Sequence, residues 1–366
     1  MPSRDDSGAV TMDPAADSDQ PQFDGVMENL TLVLHGHAAF QYLHAGCAFE
    51  VFERLHRSSG IKTASLVEST GLSAHSARVL LFGLRCLKLI DERDGELRNG
   101  ATIESLFERN EWDVFRATVF FHAEIVYPGE REFVKSLREG QNSGLSFLPG
   151  TANRLYERLA SDSHLRKIFY EYMGAWTRHA LKFLLQFVDF NAFTSILDVG
   201  GGDGTAAFAI AESFDQPAIT VLELPEMESR IRANASLYQN GHRVKVISGD
   251  MFSSPWPANQ DCVFFLHQLV IWNRMQNLTL LQRAHDSLLS GGTAFIVSSM
   301  ANGDTSGPLM AAMDSAYFIA VAAGEGMIYP WTEYTSLLRE AGFSEVTFQR
   351  FPTWTPHGMI TARRVD

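Results

Sequence analysis

The residues best placed to do chemistry lie in the run Ile196-Leu197-Asp198-Val199-Gly200-Gly201-Gly202-Asp203-Gly204-Thr205, which reads as a buried strand breaking into a glycine loop. A helix is expected to follow over residues 206–214. Glycine at 200, 202 and 204 lets the backbone turn sharply and approach a ligand that a side chain would hold off. Free N–H groups at the helix start point at whatever occupies the loop. A second strand, 218–222, ends in Glu223, at the distance downstream where an acidic residue takes a ribose diol in βαβ units. A third, 244–248, ends in Gly249-Asp250-Met251-Phe252. This offers a carboxylate for an exocyclic amine and apolar side chains for a flat base. The three strand ends together describe a pocket for an adenosine whose other end carries a small charged group. A dinucleotide fingerprint would instead place its third glycine where Thr205 stands.

The elements that must position these residues follow from patterning. Alternating strands and helices from Ile196 onward imply a doubly wound, mostly parallel sheet, with 346–351 and 358–363 as its last strands. Upstream, 30–55 is helical and more apolar than one amphipathic stripe requires, which suggests a subunit interface. A short helix at 64–69, a turn at Gly71, a Ser73-capped helix to about 87 and a hairpin turning at Asp94-Gly95 make a winged helix. Residues 103–190 are mostly helical and rich in aromatics, of which a minority must line a second pocket. The expected division is a disordered tail at 1–22, a helical and winged-helix region at 23–190, and the loop-bearing α/β domain at 191–366.

Composition excludes several functions. The chain has 366 residues, 45% hydrophobic and 20% charged, with a formal charge of −13. Such a balance belongs to an ordinary globular protein and argues against nucleic acid, which calls for a basic stripe. No apolar stretch approaches the length of a bilayer, and the acidic N-terminus lacks the apolar core of a signal peptide, so a cytoplasmic protein with no membrane partner is expected. Three widely spaced cysteines, Cys47, Cys86 and Cys262, suggest neither a disulfide framework nor a cysteine zinc site.

From residue 28 to 364 the chain resembles the class I S-adenosylmethionine (SAM) dependent methyltransferases, specifically the small-molecule O-methyltransferase family with an N-terminal dimerisation domain. The resemblance rests on the Asp-Val-Gly-Gly-Gly loop, Glu223-Leu224-Pro225, Gly249-Asp250-Met251-Phe252, a Gly291-Gly292 turn before a strand, and Ala341-Gly342-Phe343. It implies a Rossmann-like, seven-stranded SAM-binding domain with one antiparallel strand, a winged helix used for homodimerisation, and a small aromatic acceptor. It further implies that Asp198, Gly200 and Gly202 face the methionyl end of SAM and that Glu223 and Leu224 meet the ribose. Asp250, Met251 and Phe252 would hold the adenine, and Thr177 the SAM carboxylate. Met173, Trp176, Val270, Asp314 and Tyr329 are expected around the acceptor.

Enzymes resembling this one deprotonate the acceptor with a His in a Leu-His-Asp-Trp motif, oriented by a later Glu. Here Trp272 takes the motif's Trp, Val270 the His and Ile271 the Asp, while Ile328 stands where the orienting Glu is expected. Both halves of the pair are apolar. Candidate replacements are His267, at the tip of the fourth strand, and His122 with Glu124 on the capping helices. His179 and His357 are weaker candidates, and His267 has no partner at metal-ligand spacing, so no metal is expected. With the usual base gone, C-methylation of an electron-rich ring, as on a tyrosine-like or kynurenine-like amino acid, stands beside O- or N-methylation. Loss of the base also fits a SAM-binding protein that transfers no methyl and catalyses a pericyclisation or hydroxylation. A DNA-binding or ligand-sensing winged-helix protein is disfavoured by charge.

Overall fold

The computed structural model describes residues 20–58, 60–159 and 161–365. The stretch expected as a tail lies, up to residue 19, outside the described residues. By compactness the chain divides between Trp112 and Asp113.

The first unit opens with three helices, Gln20–Leu34, Gly36–Ala48 and Val51–Ser58, where one continuous helical stretch over 30–55 was expected. Glu50 takes φ +54, a left-handed backbone that cannot continue a helix, and so separates the second from the third. Helices Thr63–Thr70 and Ala74–Cys86 follow. Gly71 ends the first in a left-handed cap, and Ser73 starts the second by accepting the Ser76 N–H at 3.1 Å. Strands β1 (Ile61–Lys62), β2 (Ile90–Arg93) and β3 (Glu96–Asn99) form a small antiparallel sheet in the order β1-β3-β2. Asp94 and Gly95 both have positive φ, as a two-residue hairpin turn demands.

The second unit is built on seven strands: β4 (Ser195–Val199), β5 (Ala218–Glu223), β6 (Val244–Ser248), β7 (Gln260–Leu266), β8 (Leu288–Ser299), β9 (Ser344–Arg350) and β10 (His357–Arg363). Their order is β6-β5-β4-β7-β8-β10-β9, and β10 runs antiparallel to both neighbours. Both sheet faces are covered, so the central strands carry apolar side chains towards both faces. Leu197, Val263, Phe265 and Ile296 face one core with helices Arg274–Ser287 and Trp331–Glu340. Ile196, Cys262, Phe264 and Val297 face the other, with helices Ser163–Phe187 and Thr205–Ser213. Each such buried side chain contributes about 1.5–3 kcal/mol.

The expected turn at Gly291-Gly292 lies inside β8. Its pairing with β7 jumps there from Gln260↔Leu288 to Cys262↔Thr293. Gly291, at φ +80, absorbs the bulge, so the strand continues through it. β9 and β10 begin two and one residues earlier than expected.

Strand order reverses around β4, whose neighbours β5 and β7 carry chain to opposite sides. Beyond the carboxyl ends of such strands a doubly wound sheet leaves its ligand crevice.

Candidate functional site

β4 delivers Asp198 and the glycine loop to that crevice. Gly202 has φ +60, and a Cβ added there would meet nothing within 4 Å, so the loop borders open space. A Cβ on Gly200 would strike the Gln268 side chain at 2.7 Å. Asp198 is fully buried, and neither carboxylate oxygen has a partner among the described residues. Burial, reinforced by the nearby charge of Glu223, pushes its carboxyl well above the usual range. A buried carboxyl without donors is costly, and a cationic amine is the group that satisfies it.

Glu223, at the end of β5, accepts the Gly202 N–H at 2.9 Å and the Leu224 N–H at 2.8 Å. Burial raises its pKa while those two hydrogen bonds oppose the rise, and each oxygen keeps a lone pair for a hydroxyl donor. Asp250 is exposed after β6, and its Oδ1 accepts the Phe252 N–H at 2.9 Å. Met251 and Phe252 are half-buried against the core, and Phe252 meets Trp272 edge-on at 4.9 Å. Met173 and Thr177 are half-buried one turn apart on helix Ser163–Phe187. Trp176, between them in sequence, is buried and donates its indole N–H to Thr118 Oγ1 at 2.9 Å. An amine-seeking carboxyl, a diol-seeking carboxylate, apolar side chains beside Asp250 and open space above a glycine loop fit SAM in kind and in order.

Val270 and Ile328, where the family's base and orienting acid would stand, pack together with Ala311 in one apolar cluster, at 5% and 3% exposure. No ionised group could be accommodated there without large cost. Tyr329, adjacent, belongs to the sheet core. Its hydroxyl donates to the Trp272 carbonyl at 2.8 Å, and burial pushes its pKa up to about 12.

Titratable groups gather one helical turn away. Helix Leu309–Tyr317 carries Ala311 in the apolar cluster and Asp314 three residues on. Asp314 Oδ1 lies 3.9 Å from His122 Nε2. Two π-helical turns, His122–Val126 and Phe318–Ala322, flank the pair, and their Ile125, Val126, Ala320 and Val321 share one core. Such turns are rare and favour functional sites. Burial lowers the His122 pKa to about 4 and, with the Glu130 charge, raises Asp314 to about 7. Tyr172, stacked on Phe121 at 3.9 Å, and Tyr317, edge-on to Phe121 at 5.2 Å, are both pushed upward, each chiefly by burial. Glu124 is half-buried in the same π-helical turn as His122.

His267 follows β7 with φ +57, a strained backbone for a residue with a side chain. Burial lowers its pKa to about 4, against a hydrogen bond to the Trp176 backbone that favours the charged form. His122 and Asp314 are thus brought together, whereas His267 sits beside Trp176 and His357.

A cavity of about 710 Å³ flanks the loop, lined by Tyr170, Arg178, Asp203, Thr205 and Arg230 among others, and none of the expected site residues lines it. Sequence reading counted Tyr172 among the aromatics of which a minority must line a second pocket, and did not anticipate Tyr317, Glu130 or Gln268 at the site. Tyr172 and Tyr317 pack, partly buried, against one hydrophobic core, and Glu130 carries no motif.

Residues 131–344 match the family described as the O-methyltransferase domain. The chain is 36% identical over 340 residues to an L-tyrosine C(3)-methyltransferase of Streptomyces lavendulae, covering 92% of this chain and 93% of that protein. It is 26% identical to a 3-hydroxy-5-methyl-1-naphthoate 3-O-methyltransferase of Streptomyces sahachiroi, covering 87% and 90%. Among solved structures, the S-adenosylmethionine-dependent methyltransferase SibL in its apo form matches with a TM-score of 0.84 and 39% identity, over 92% of this chain and 99% of that one. Human N-acetylserotonin methyltransferase in complex with SAM shares the fold, with a TM-score of 0.76 at 22% identity over 98% and 100% of the two chains. No helix among the described residues is long and apolar enough to cross a membrane. With a cradle that fits the cofactor and a match to the family over most of its length, this chain belongs to the small-molecule O-methyltransferase family and is a SAM-dependent methyltransferase.

Proposed function

We propose that this enzyme methylates an aromatic carbon ortho to a phenol on a tyrosine-like amino acid. The observation that carries the reading is the exchange of chemistry between two neighbouring places. The family's base position is filled by packed Val270 and Ile328, and one turn along helix Leu309–Tyr317 stands the His122–Asp314 pair. Likeness to a tyrosine C(3)-methyltransferase supports the same acceptor class.

Bound SAM supplies a methyl group made electrophilic by its sulfonium. Asp198 and the loop amides hold the methionyl end, Glu223 the ribose hydroxyls, and Asp250 with Met251 and Phe252 the adenine. Thr177 reaches the carboxylate of the cofactor. Asp314 takes the phenol proton, with the neutral His122 imidazole 3.9 Å away beside it. A carboxyl raised towards neutrality is a stronger base than an ordinary aspartate and still ionises at working pH. Met173, Trp176 and the apolar Val270 bound the ring, and alignment of ring and methyl supplies much of the acceleration.

The protein acts as a cytoplasmic homodimer, joined through its first unit. Val26, Leu30, Val33 and Leu34 of helix Gln20–Leu34 are all more than half exposed, a stripe that a second copy would cover. Incubation with methyl-labelled SAM and a panel of phenolic amino acids tests the reading. The expected product carries methyl on carbon with one S-adenosylhomocysteine released per turnover. A product methylated on oxygen or nitrogen, or turnover without S-adenosylhomocysteine, overturns it.

A further inference from the structure

Gln268 takes no part in the steps above, yet its side chain touches two of the places that hold the cofactor. It follows β7 and heads the short turn Leu269–Ile271, two residues before Val270. That turn is fixed from behind, because buried Asn277 donates its amide N–H groups to the Leu269 carbonyl at 2.9 Å and the Trp272 carbonyl at 3.2 Å. From there the half-buried Gln268 amide reaches the glycine loop. A Cβ added at Gly200 would stand 2.7 Å from its Cδ and Oε1 and 3.1 Å from its Nε2. The same Nε2 donates to Met251 Sδ at 3.4 Å.

These contacts orient the amide. A thioether only accepts, so the end that rests on Met251 is the NH2. Oε1 is the end left over, nearer to Gly200 than Nε2 is, and among the described residues it is neither hydrogen-bonded nor enclosed. The side chain therefore offers the negative end of its dipole at the edge of the loop.

With the loop at the methionyl end of SAM and Met251 at the adenine, a side chain that touches both flanks the middle of the cofactor, which consists of the ribose and the sulfonium. Glu223 takes the ribose hydroxyls. The sulfonium is a cation with no N–H or O–H to donate, so its complement is a fixed dipole with oxygen foremost. We propose that the Gln268 carbonyl oxygen recognises the sulfonium charge and makes the enzyme prefer SAM over S-adenosylhomocysteine, which lacks the charge and one methyl. This rests on the cofactor placement given under the proposed function and holds whichever atom of the acceptor is methylated. A contact that weakens when the charge is lost also favours exchange of spent cofactor for fresh.

The test is calorimetric binding of SAM and of S-adenosylhomocysteine, without acceptor, to the wild type, Gln268→Met, Gln268→Glu and Glu223→Ala, each checked for folding by thermal melting. Gln268→Met keeps the reach of the side chain and removes the oxygen, so SAM should bind about tenfold more weakly and S-adenosylhomocysteine within about twofold of the wild type. Gln268→Glu puts a carboxylate in the same place and should raise the preference for SAM. Equal changes for the two ligands in Gln268→Met, or no change, reduce Gln268 to packing and overturn the proposal, as does a Gln268→Glu variant whose preference for SAM falls. Should Gln268→Met not fold, the direction of the change in Gln268→Glu decides alone. Glu223→Ala separates the two levels, since both ligands carry the ribose and both should weaken. If neither weakens, the cofactor placement falls and the sulfonium role with it. If both weaken while the Gln268 variants do not tell the ligands apart, only the sulfonium role falls.

Discussion

Asp314 Oδ1 faces His122 Nε2 at 3.9 Å, a carboxyl raised to about 7 opposite an imidazole lowered to about 4. Burial is the leading cause of both shifts, so at neutral pH the imidazole is uncharged and the carboxyl is near its midpoint.

The pH profile should report that carboxyl. Asp314 must be ionised to take a proton, so kcat/KM is expected to rise through about pH 7 and then level off. Glu130, Tyr172 and Tyr317 also border the pair, and burial pushes the pKa of each upward. Asp314→Asn should lower kcat by roughly a hundredfold and abolish the rising limb. A limb that survives in Asp314→Asn assigns the titration elsewhere.

Replacing Glu223 removes the acceptor of the Gly202 and Leu224 amides along with the diol contact. Glu223→Ala should weaken SAM binding by about 1.5–3 kcal/mol, tenfold or more by calorimetry, and leave acceptor KM at saturating SAM within a few fold. Equal losses for both ligands would deny it a ribose role.

Val270→His restores the family's base residue in a place now built from apolar side chains. Among Ala311 and Ile328 the imidazole finds no acid, so the variant should lose about 1–3 kcal/mol of stability and gain no O-methylated product. Appearance of an O-methyl product would show that the position alone chooses the atom.

His267, half-buried with its Nε2 enclosed, makes stability depend on acid. Its folded pKa of about 4 lies below the unfolded 6.5, so the unfolded chain binds more protons between those values. Stability of the wild type relative to His267→Gln should therefore fall as pH drops from 6.5 towards 4, by on the order of 3 kcal/mol in denaturant titrations. A difference independent of pH would mean that the ring is solvated in the native state.

Much of this was legible in the chain because short-range rules decide it. The glycine loop, the acids at the ends of β5 and β6, the Ser73 cap and the Asp94-Gly95 turn are local signatures, and the structure places each as the pattern requires. The break at Glu50 was not legible, since a glutamate carries no mark of positive φ. Nor was the bulge in β8, because a glycine pair reads equally as a turn and as an irregular strand. Val270 and Ile328 could be matched as apolar replacements, but their mutual contact spans 58 positions of chain. The meeting of His122 with Asp314 likewise depends on two helices far apart in sequence, and no spacing rule announces it.

The paired π-helical turns have an engineering consequence. Each holds one surplus residue relative to an α-helix, so deleting a single position from His122–Val126 would rewind that turn into a regular α-helix, with the segments on either side kept in register and the side chains of the turn redirected. The imidazole would swing away from Asp314 without any change in its chemistry. Chain length is therefore a handle on the His122–Asp314 contact that leaves both side chains in the sequence.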